Sequence, residues 1–475
     1  MTIIPDTIGA EERRWREAVE ASREHNGPSS ARYVRLMAGL LSGMVLPGSR
    51  VLYIGAGTAD VLASLQPSLG VAVEASQTLA NLARQRHPEF VVSQGHMEDL
   101  SIEGDFDYIV MADVLLDCFD VDKLLNAVKR LCRDETRVVV TNYSQLWRPL
   151  LKGARRLGVA RPRFGDTWFS REDLRQALDR CGFHLVRETE DILLPVGGPL
   201  LARFVNRFLA RLPGFRLLCL YHLAVARVRR PDTENEPSVT VVIPARNEAG
   251  NVARLMTEVP SMGRFTEIIF VEGNSTDDTW SVLEAAGSAR RDPLIRLLKQ
   301  PGRGKGDAVR AGFAEARGDI LMILDADLTV PAEALPSFYA AVVSGYAEFA
   351  NGSRLVYRMD ERAMRFLNLL ANHFFASAFT FVLGQPVRDT LCGTKVLRRS
   401  HYERIVRQRH YLGDFDPFGD FDLLFGAARL SLAIADVPIR YRERVYGDTN
   451  IRRFRDGALL FRMLWLAALK LRFRP

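Results

Sequence analysis

Five apolar residues in a row, Ile320 to Leu324, run straight into two carboxylates one residue apart, Asp325 and Asp327. A continuous apolar run of that length reads as a buried strand. Carboxylates at its end are costly to bury unless a cation or a metal ion compensates them. The open end of a parallel strand faces the crevice where α/β folds bind ligands. Two aspartates there can hold a hard divalent cation, which in turn neutralises a diphosphate. A polar loop after a core strand could carry the same pair, so the reading depends on what surrounds it.

The surroundings repeat the pattern. Val239 to Ile243 reads as a strand ending in Pro244-Ala245-Arg246-Asn247-Glu248. Glu267 to Val271 reads as another, ending in Glu272-Gly273-Asn274. Gly302-Arg303-Gly304-Lys305-Gly306 is a glycine-rich loop with a lysine, suited to phosphate although its spacing is not that of a P-loop. Several strand ends therefore bring polar groups to one crevice.

The first half shows a second alternating series. Arg50 to Ile54 is a strand running into Gly55-Ala56-Gly57 and then a helix, Val61 to Leu65. Glycines at that junction let the backbone approach a ligand. The strand Val71–Val73 ends in Glu74, roughly twenty residues on, where an acid can accept hydrogen bonds from a ribose diol. Further strands are read at Phe90–Val92, Phe106–Met111 and Thr136–Thr141, with a helix at Val121–Arg130.

Length and charge bound the rest. A chain of 475 residues has room for two or three domains at roughly 150 residues each. The net charge of +7 favours anionic partners such as nucleotides, lipid phosphates or an acidic membrane surface. Nothing beyond that charge supports nucleic-acid binding. The five cysteines lack CxxC spacing, so reduced thiols and no zinc site are expected. There is no basic segment followed by an apolar core at the start, and no run of roughly 18 apolar residues anywhere, so neither a signal peptide nor a membrane span is expected.

Residues 45 to 195 resemble the class I S-adenosylmethionine-dependent methyltransferases. The glycine loop, Glu74, Met97-Glu98-Asp99, Phe106-Asp107 and Asp113-Val114-Leu115 follow in the family's order. The resemblance implies a Rossmann-like domain. Gly55 and Gly57 would line the methionine part of S-adenosylmethionine, Glu74 the ribose, and Met97 and Glu98 the adenine. Tyr53 and Ala59 depart from the pattern, standing where the family has an acid and a third glycine. His96 and Asp113 fall near the expected cofactor edge, with catalytic and structural roles both open. The methyl acceptor is not legible.

Residues 238 to 450 resemble the family 2 glycosyltransferases of GT-A fold, through the motifs above together with Gly352-Ser353-Arg354 and Gly419-Asp420-Phe421-Asp422. That resemblance implies a nucleotide-diphosphate sugar as donor, with Pro244, Glu248 and Glu272 at the nucleoside and Lys305 at the phosphates. Asp325 and Asp327 would hold Mg2+ or Mn2+, Asp325 also facing the donor. Asp422, or else Asp420, would be the general base for a hydroxyl acceptor, and transfer would invert the anomeric centre. The stretch from Asn368 to Lys395, with Val437 to Gly447, looks like the dolichyl-phosphate mannose synthase subgroup, whose acceptor is a polyprenyl phosphate. Arg442 and Arg444 would then grip the acceptor phosphate.

The expected layout is a methyltransferase-like domain at 1–191 and an amphipathic connection and linker at 192–237. A glycosyltransferase domain follows at 238–450, then a basic amphipathic helix at 451–475. The segments 192–228 and 451–475 can lie on an anionic membrane, or can pack against the domains. A bifunctional enzyme acting on one polyprenyl-phosphate or cell-envelope glycan acceptor is expected, in the cytoplasm and peripheral on the inner face of its membrane. The alternatives are a glycosyltransferase with a non-catalytic methyltransferase-like scaffold, and a non-catalytic membrane-surface adaptor.

Overall fold

The computed structural model describes residues 5–157, 168–195, 199–231, 236–354, 366–409, 419, 421–444, 446 and 453–473. It divides into two compact units, one running through Arg229 and the other from Arg230 to Arg472. Each is α/β and is built on a mixed seven-stranded sheet.

The first sheet contains β1 (Arg50–Ile54), β2 (Leu69–Glu74), β3 (Val91–Gln94), β4 (Tyr108–Ala112), β5 (Arg137–Tyr143), β6 (Phe183–Asp191) and β7 (Tyr221–Val228). Their order is β3-β2-β1-β4-β5-β7-β6. The first five are parallel, and β7 pairs antiparallel with both β5 and β6. The apolar runs of the parallel strands are buried, as strands covered on both faces must be: Leu52, Ile54, Ile109, Met111, Val138 and Val140 share one core.

The boundary expected at residue 191 is corrected to 229. Much of the segment read as a connection belongs to this unit, because β7 fills the place between β5 and β6. His222 and Arg227 disguised it as polar, yet both are buried. His222 lies 3.2 Å from Glu188 on β6, which makes a polar residue tolerable there.

The second sheet contains β8 (Val239–Ala245), β9 (Thr266–Glu272), β10 (Ile295–Lys299), β11 (Ile320–Ile323), β12 (Phe349–Ser353), β13 (Lys395–Arg398) and β14 (Ile434–Pro438). The order is β10-β9-β8-β11-β13-β12-β14. Strands β8, β9, β10 and β11 run parallel, and β13 is antiparallel to β11 and β12. The ends of β8, β9 and β11 therefore open on one edge, which gathers the loops after Ala245, Glu272 and Ile323.

The C-terminal helix Arg453–Ala467 is part of this second unit rather than a separate tail. Its Phe461 ring stands 5.7 Å from that of Phe374 and 5.1 Å from that of Phe375, on the helix Phe366–Leu383. Among the described residues no helix is long and apolar enough to cross a membrane. All five cysteines are free and buried.

Gly318, just before β11, sets how closely that strand approaches β8. A Cβ there would overlap the backbone of Val239 and Thr240, and its own N–H donates to Thr240 Oγ1 at 2.8 Å. Backbone cannot move aside as a side-chain end can. Gly318→Ala is expected to cost about 1–3 kcal/mol, measured as a lower denaturant midpoint for the second unit's transition.

Candidate functional site

In the second unit, the residues after β11 meet two cations. Lys305 Nζ lies 2.6 Å from Asp325 Oδ1. Arg444 Nη2 lies 2.7 Å from Asp327 Oδ2, and its Nη1 is 3.6 Å from Glu248 Oε1. Thr329 holds the other oxygen of Asp327 through its N–H (3.1 Å) and hydroxyl (2.8 Å). Burial alone would raise the Asp325 carboxyl, but Lys305 beside it more than offsets this and holds it below the ordinary carboxylate range. Burial pushes Glu248 above that range, only partly countered by Asn251 and Arg444.

The surrounding loops are pinned to make this fit. Arg354, following β12, forms a two-pronged ion pair with Asp389, at 2.6 and 2.9 Å. Asp389 also accepts from the N–H groups of Leu391 and Cys392, at 3.0 and 3.1 Å. That fixes the turn carrying Gly393, where any Cβ would overlap Asp325 and Lys305. Gly419 approaches from another side. It is left-handed (φ 79°), and a Cβ there would strike the Gly306 backbone. Asp422 follows in the first turn of the helix Phe421–Arg429, 3.2 Å from Arg409. Asp420 lies outside the described residues.

The structure thus brings together Glu248, Lys305, Asp325, Asp327 and Arg444. Pro244 lies within β8, and Glu272 closes β9, accepting from Ser275 N–H at 2.5 Å. Arg444 stands with the donor-side carboxylates, while Arg442 pairs with Glu333. The roles of Gly393 and Gly419 were hidden in the sequence, because close approach between distant backbones leaves no local pattern. Among the described residues no cluster of three or more His, Cys, Asp or Glu side chains able to hold a metal ion occurs. Mg2+ needs only one or two protein carboxylates when substrate phosphates complete its shell, so Asp325 and Asp327 fit such an ion together with a diphosphate.

In the first unit the glycine turn has the expected shape. Gly55 and Gly57 are left-handed (φ 72° and 57°), and so is Ala59 (φ 59°). Ala59 thus adopts a left-handed conformation that glycine takes freely, at a cost of about 1–2 kcal/mol. Glu74 ends β2 with its side chain fully buried. Its Oε2 accepts from Gly57 N–H at 2.7 Å and its Oε1 from Ser76 N–H at 3.1 Å. Met97 is packed in the apolar core, and Glu98 accepts from Phe119 N–H at 2.8 Å.

A third donor to Glu74 comes from the N-terminal helix Pro5–Asn26: Arg23 Nη1 lies 2.7 Å from Oε2. Its Nη2 is 3.2 Å from Asp117 and would lie 3.1 Å from a Cβ on Gly55. Trp15, two turns earlier on the same face, donates to Asp117 O at 3.0 Å and meets the Phe119 ring edge-on at 6.2 Å. The helix therefore lies across the crevice, with Arg23 at the acid. The spacing of Trp15, Val19 and Arg23 was the only sequence signal for it. A ribose diol would present two O–H donors where the guanidinium now presents N–H donors, so the acid and glycines fit a nucleoside once Arg23 withdraws. Beside them, Asp113 Oδ2 accepts from the hydroxyls of Tyr33, Tyr143 and Tyr221, at 3.0, 3.1 and 3.1 Å.

Fold and sites define two α/β domains in one chain, each with acidic side chains gathered at parallel strand ends. The family described as "Glycosyl transferase family 2" matches residues 240–406, and "Methyltransferase domain" matches 23–188. Among curated relatives, the undecaprenyl-phosphate 4-deoxy-4-formamido-L-arabinose transferase of Shewanella sediminis is 27% identical over 221 residues, 46% of this chain and 62% of that protein. Glycosyltransferase AglJ of Haloferax volcanii is 29% identical over 234 residues, 49% of this chain and 72% of that protein. A crystal structure of glucosyl-3-phosphoglycerate synthase from Mycobacterium tuberculosis with Mn2+, UDP and glucosyl-3-phosphoglycerate aligns at a TM-score of 0.37 and 22% identity, over 49% of this chain and 79% of that one. A SAM-dependent methyltransferase from Thermotoga maritima aligns at 0.30 and 18%, over 46% and 95%. The chain is a fusion of an N-terminal methyltransferase domain and a C-terminal family 2 glycosyltransferase domain of GT-A fold.

A methyltransferase domain implies S-adenosylmethionine. By calorimetry, Glu74→Ala is expected to lose its binding, whereas Arg23→Ala is expected to tighten it by roughly tenfold, about 1.4 kcal/mol, because a competing donor is gone. Weaker binding by Arg23→Ala would make the arginine part of the ligand site instead.

Proposed function

We propose that the second unit transfers a sugar from a nucleoside-diphosphate donor to a polyprenyl phosphate or a cell-envelope glycan. The first unit would methylate the same glycan from S-adenosylmethionine. The observation that carries this reading is the pairing of Lys305 and Arg444 with Asp325 and Asp327 at converging strand ends. Pro244, Glu248 and Glu272 would contact the nucleoside. Asp325 and Asp327 would hold Mg2+ or Mn2+. A bound divalent ion would supply Lewis-acid stabilisation of the leaving diphosphate. Lys305 and Arg444 would exchange a carboxylate for phosphate oxygens, which suit both a point charge and a guanidinium fork. This assigns Arg444 to the donor and leaves Arg442 for the acceptor.

A hydroxyl acceptor needs a base, and Asp422 would serve; the close approach of Gly419, three residues earlier, to the Lys305–Gly306 backbone supports this. A phosphate acceptor is already ionised and needs none. Transfer by single displacement would invert the anomeric centre. The Shewanella relative is named for undecaprenyl phosphate, which favours the lipid acceptor, and a peripheral position on the cytoplasmic face of the membrane follows from that acceptor. The chain spans 62% of that relative's length, so acceptor and pathway remain part of the proposal. A second reading, in which the first unit is a non-catalytic scaffold, is favoured by the contact of Arg23 with Glu74.

The test is a donor panel. Labelled UDP- and GDP-sugars are supplied with Mn2+ and a polyprenyl phosphate in detergent. Organic-extractable label should appear with one donor and vanish with EDTA. Asp327→Ala should lower the rate on the order of a hundredfold or more. Donor consumption with label only on a water-soluble glycan would overturn the lipid acceptor.

A further inference from the structure

The first unit carries an apolar face that neither crevice uses. It is built from two segments, 145–157 and 199–219. The first contains the helix Arg148–Arg156, and the second the helix Pro199–Arg207 followed by short turns at Leu209–Arg211 and Phe215–Leu218. The two are tied together: Trp147 Nε1 donates to Leu218 O at 2.8 Å, and Ser144 N–H to Leu220 O at 2.8 Å. More than half of the exposed large apolar side chains among the described residues fall in these segments. Leu157 and Leu200 are 81% and 84% exposed, and Leu150, Leu201, Phe204 and Leu217 each more than half.

Within the two segments the charge has one sign. Each segment contains four basic residues and no Asp or Glu. Arg211 and Arg216 point back to β6, at 3.3 Å from Asp191 and 2.6 Å from Glu190, and so anchor the second segment with its leucines outward. On the helix Pro199–Arg207, the exposed Arg203 stands beside Leu200, Leu201 and Phe204. Contiguous exposed apolar side chains of this extent mark an interaction surface. Helices of nine residues are too short to span a bilayer, but an apolar stripe flanked by arginines suits one lying in its interface.

We propose that this face docks the methyltransferase domain on an anionic lipid surface. The leucines and Phe204 would enter the acyl boundary, and Arg203 with the basic residues other than Arg211 and Arg216, their stems along the apolar surface, would reach the headgroups. A second copy fits less well. A two-fold contact would set this face against itself, like charge against like, with no acid in either segment to relieve it. Nucleic acid fits the charge but leaves the leucines in water. The proposal rests on the membrane-facing reading above only for its biological sense. Its test reads vesicle binding, whereas that reading is tested by sugar transfer in detergent.

Full-length protein is mixed with phosphatidylcholine vesicles with or without phosphatidylglycerol, and the bound fraction is measured by flotation. Binding is expected only with phosphatidylglycerol and should weaken as salt rises. The double variant Leu200→Glu/Phe204→Glu should lose roughly tenfold or more in partitioning while keeping its sugar transfer in detergent. Arg203→Glu, at an exposed position that leaves the core untouched, should lose several-fold at low salt and little at high salt. Wild-type protein that ignores anionic vesicles overturns the proposal, and so do variants that bind as wild type does. A dimer seen by light scattering, which the double variant converts to monomer without vesicle binding in either form, would assign the face to a contact between copies.

Discussion

The architecture of the second crevice depends on a charge balance. Asp325 and Asp327 follow a strand whose residues are fully buried, and each carboxylate faces a cation across less than 3 Å. Without Lys305 and Arg444 the two charges would repel each other in a partly desolvated crevice, and burial would raise the Asp325 carboxyl unopposed by Lys305. The cations come from opposite parts of the unit, Lys305 from the start of the helix Lys305–Glu315 and Arg444 from the segment after β14. On the proposed reading, ligand binding by this site would be an exchange of partners rather than the filling of an empty hole: a diphosphate would bring negative charge to the two cations, leaving the carboxylates to a divalent ion. An Arg354–Asp389 pair behind them makes the exchange local, since it pins the turn that presses Gly393 against Asp325 and Lys305.

The fold was legible where burial dictates sequence. Parallel strands covered on both faces must be apolar without interruption, and β1, β4, β8, β9 and β11 were read for that reason. The acids and glycines at their ends were legible because a chain that stops being apolar so abruptly has reached the crevice. What stayed hidden had a mixed sequence. β7 carries Arg227 and also His222, whose partner lies outside the segment, so it reads as a polar connection until Glu188 is placed beside His222. β12 is Phe-Ala-Asn-Gly-Ser, which has the composition of a turn, yet it is fully buried. Asn351 Nδ2 there donates to Asp436 Oδ1 at 2.6 Å, on the neighbouring strand β14. Arg23 sits in a helix with no motif around it, and its partner Glu74 is fifty-one residues away. Arg444 was not legible as a partner of Asp327, because nothing local sets its direction.

Both domains place an acid at the end of the strand beside the first one, and both hold it with backbone N–H groups. Glu74 ends β2 and accepts from Gly57 and Ser76; Glu272 ends β9 and accepts from Ser275. The likeness is one of topology, since a doubly wound sheet opens its crevice there whatever the ligand. The difference lies in the cover. Over Glu74 lies a helix whose arginine already donates to the oxygen that a diol would use, and whose Trp15 closes on the loop around Asp117 and Phe119. In the second crevice the guanidinium of Arg444 lies on the carboxylates instead, where a diphosphate and its metal would draw it off by charge. A neutral ribose offers Arg23 no such alternative partner. On the proposed reading the first site would open by withdrawal of Arg23, whose other nitrogen Asp117 already holds at 3.2 Å, whereas the second would open through an exchange of charges that its own ligand drives.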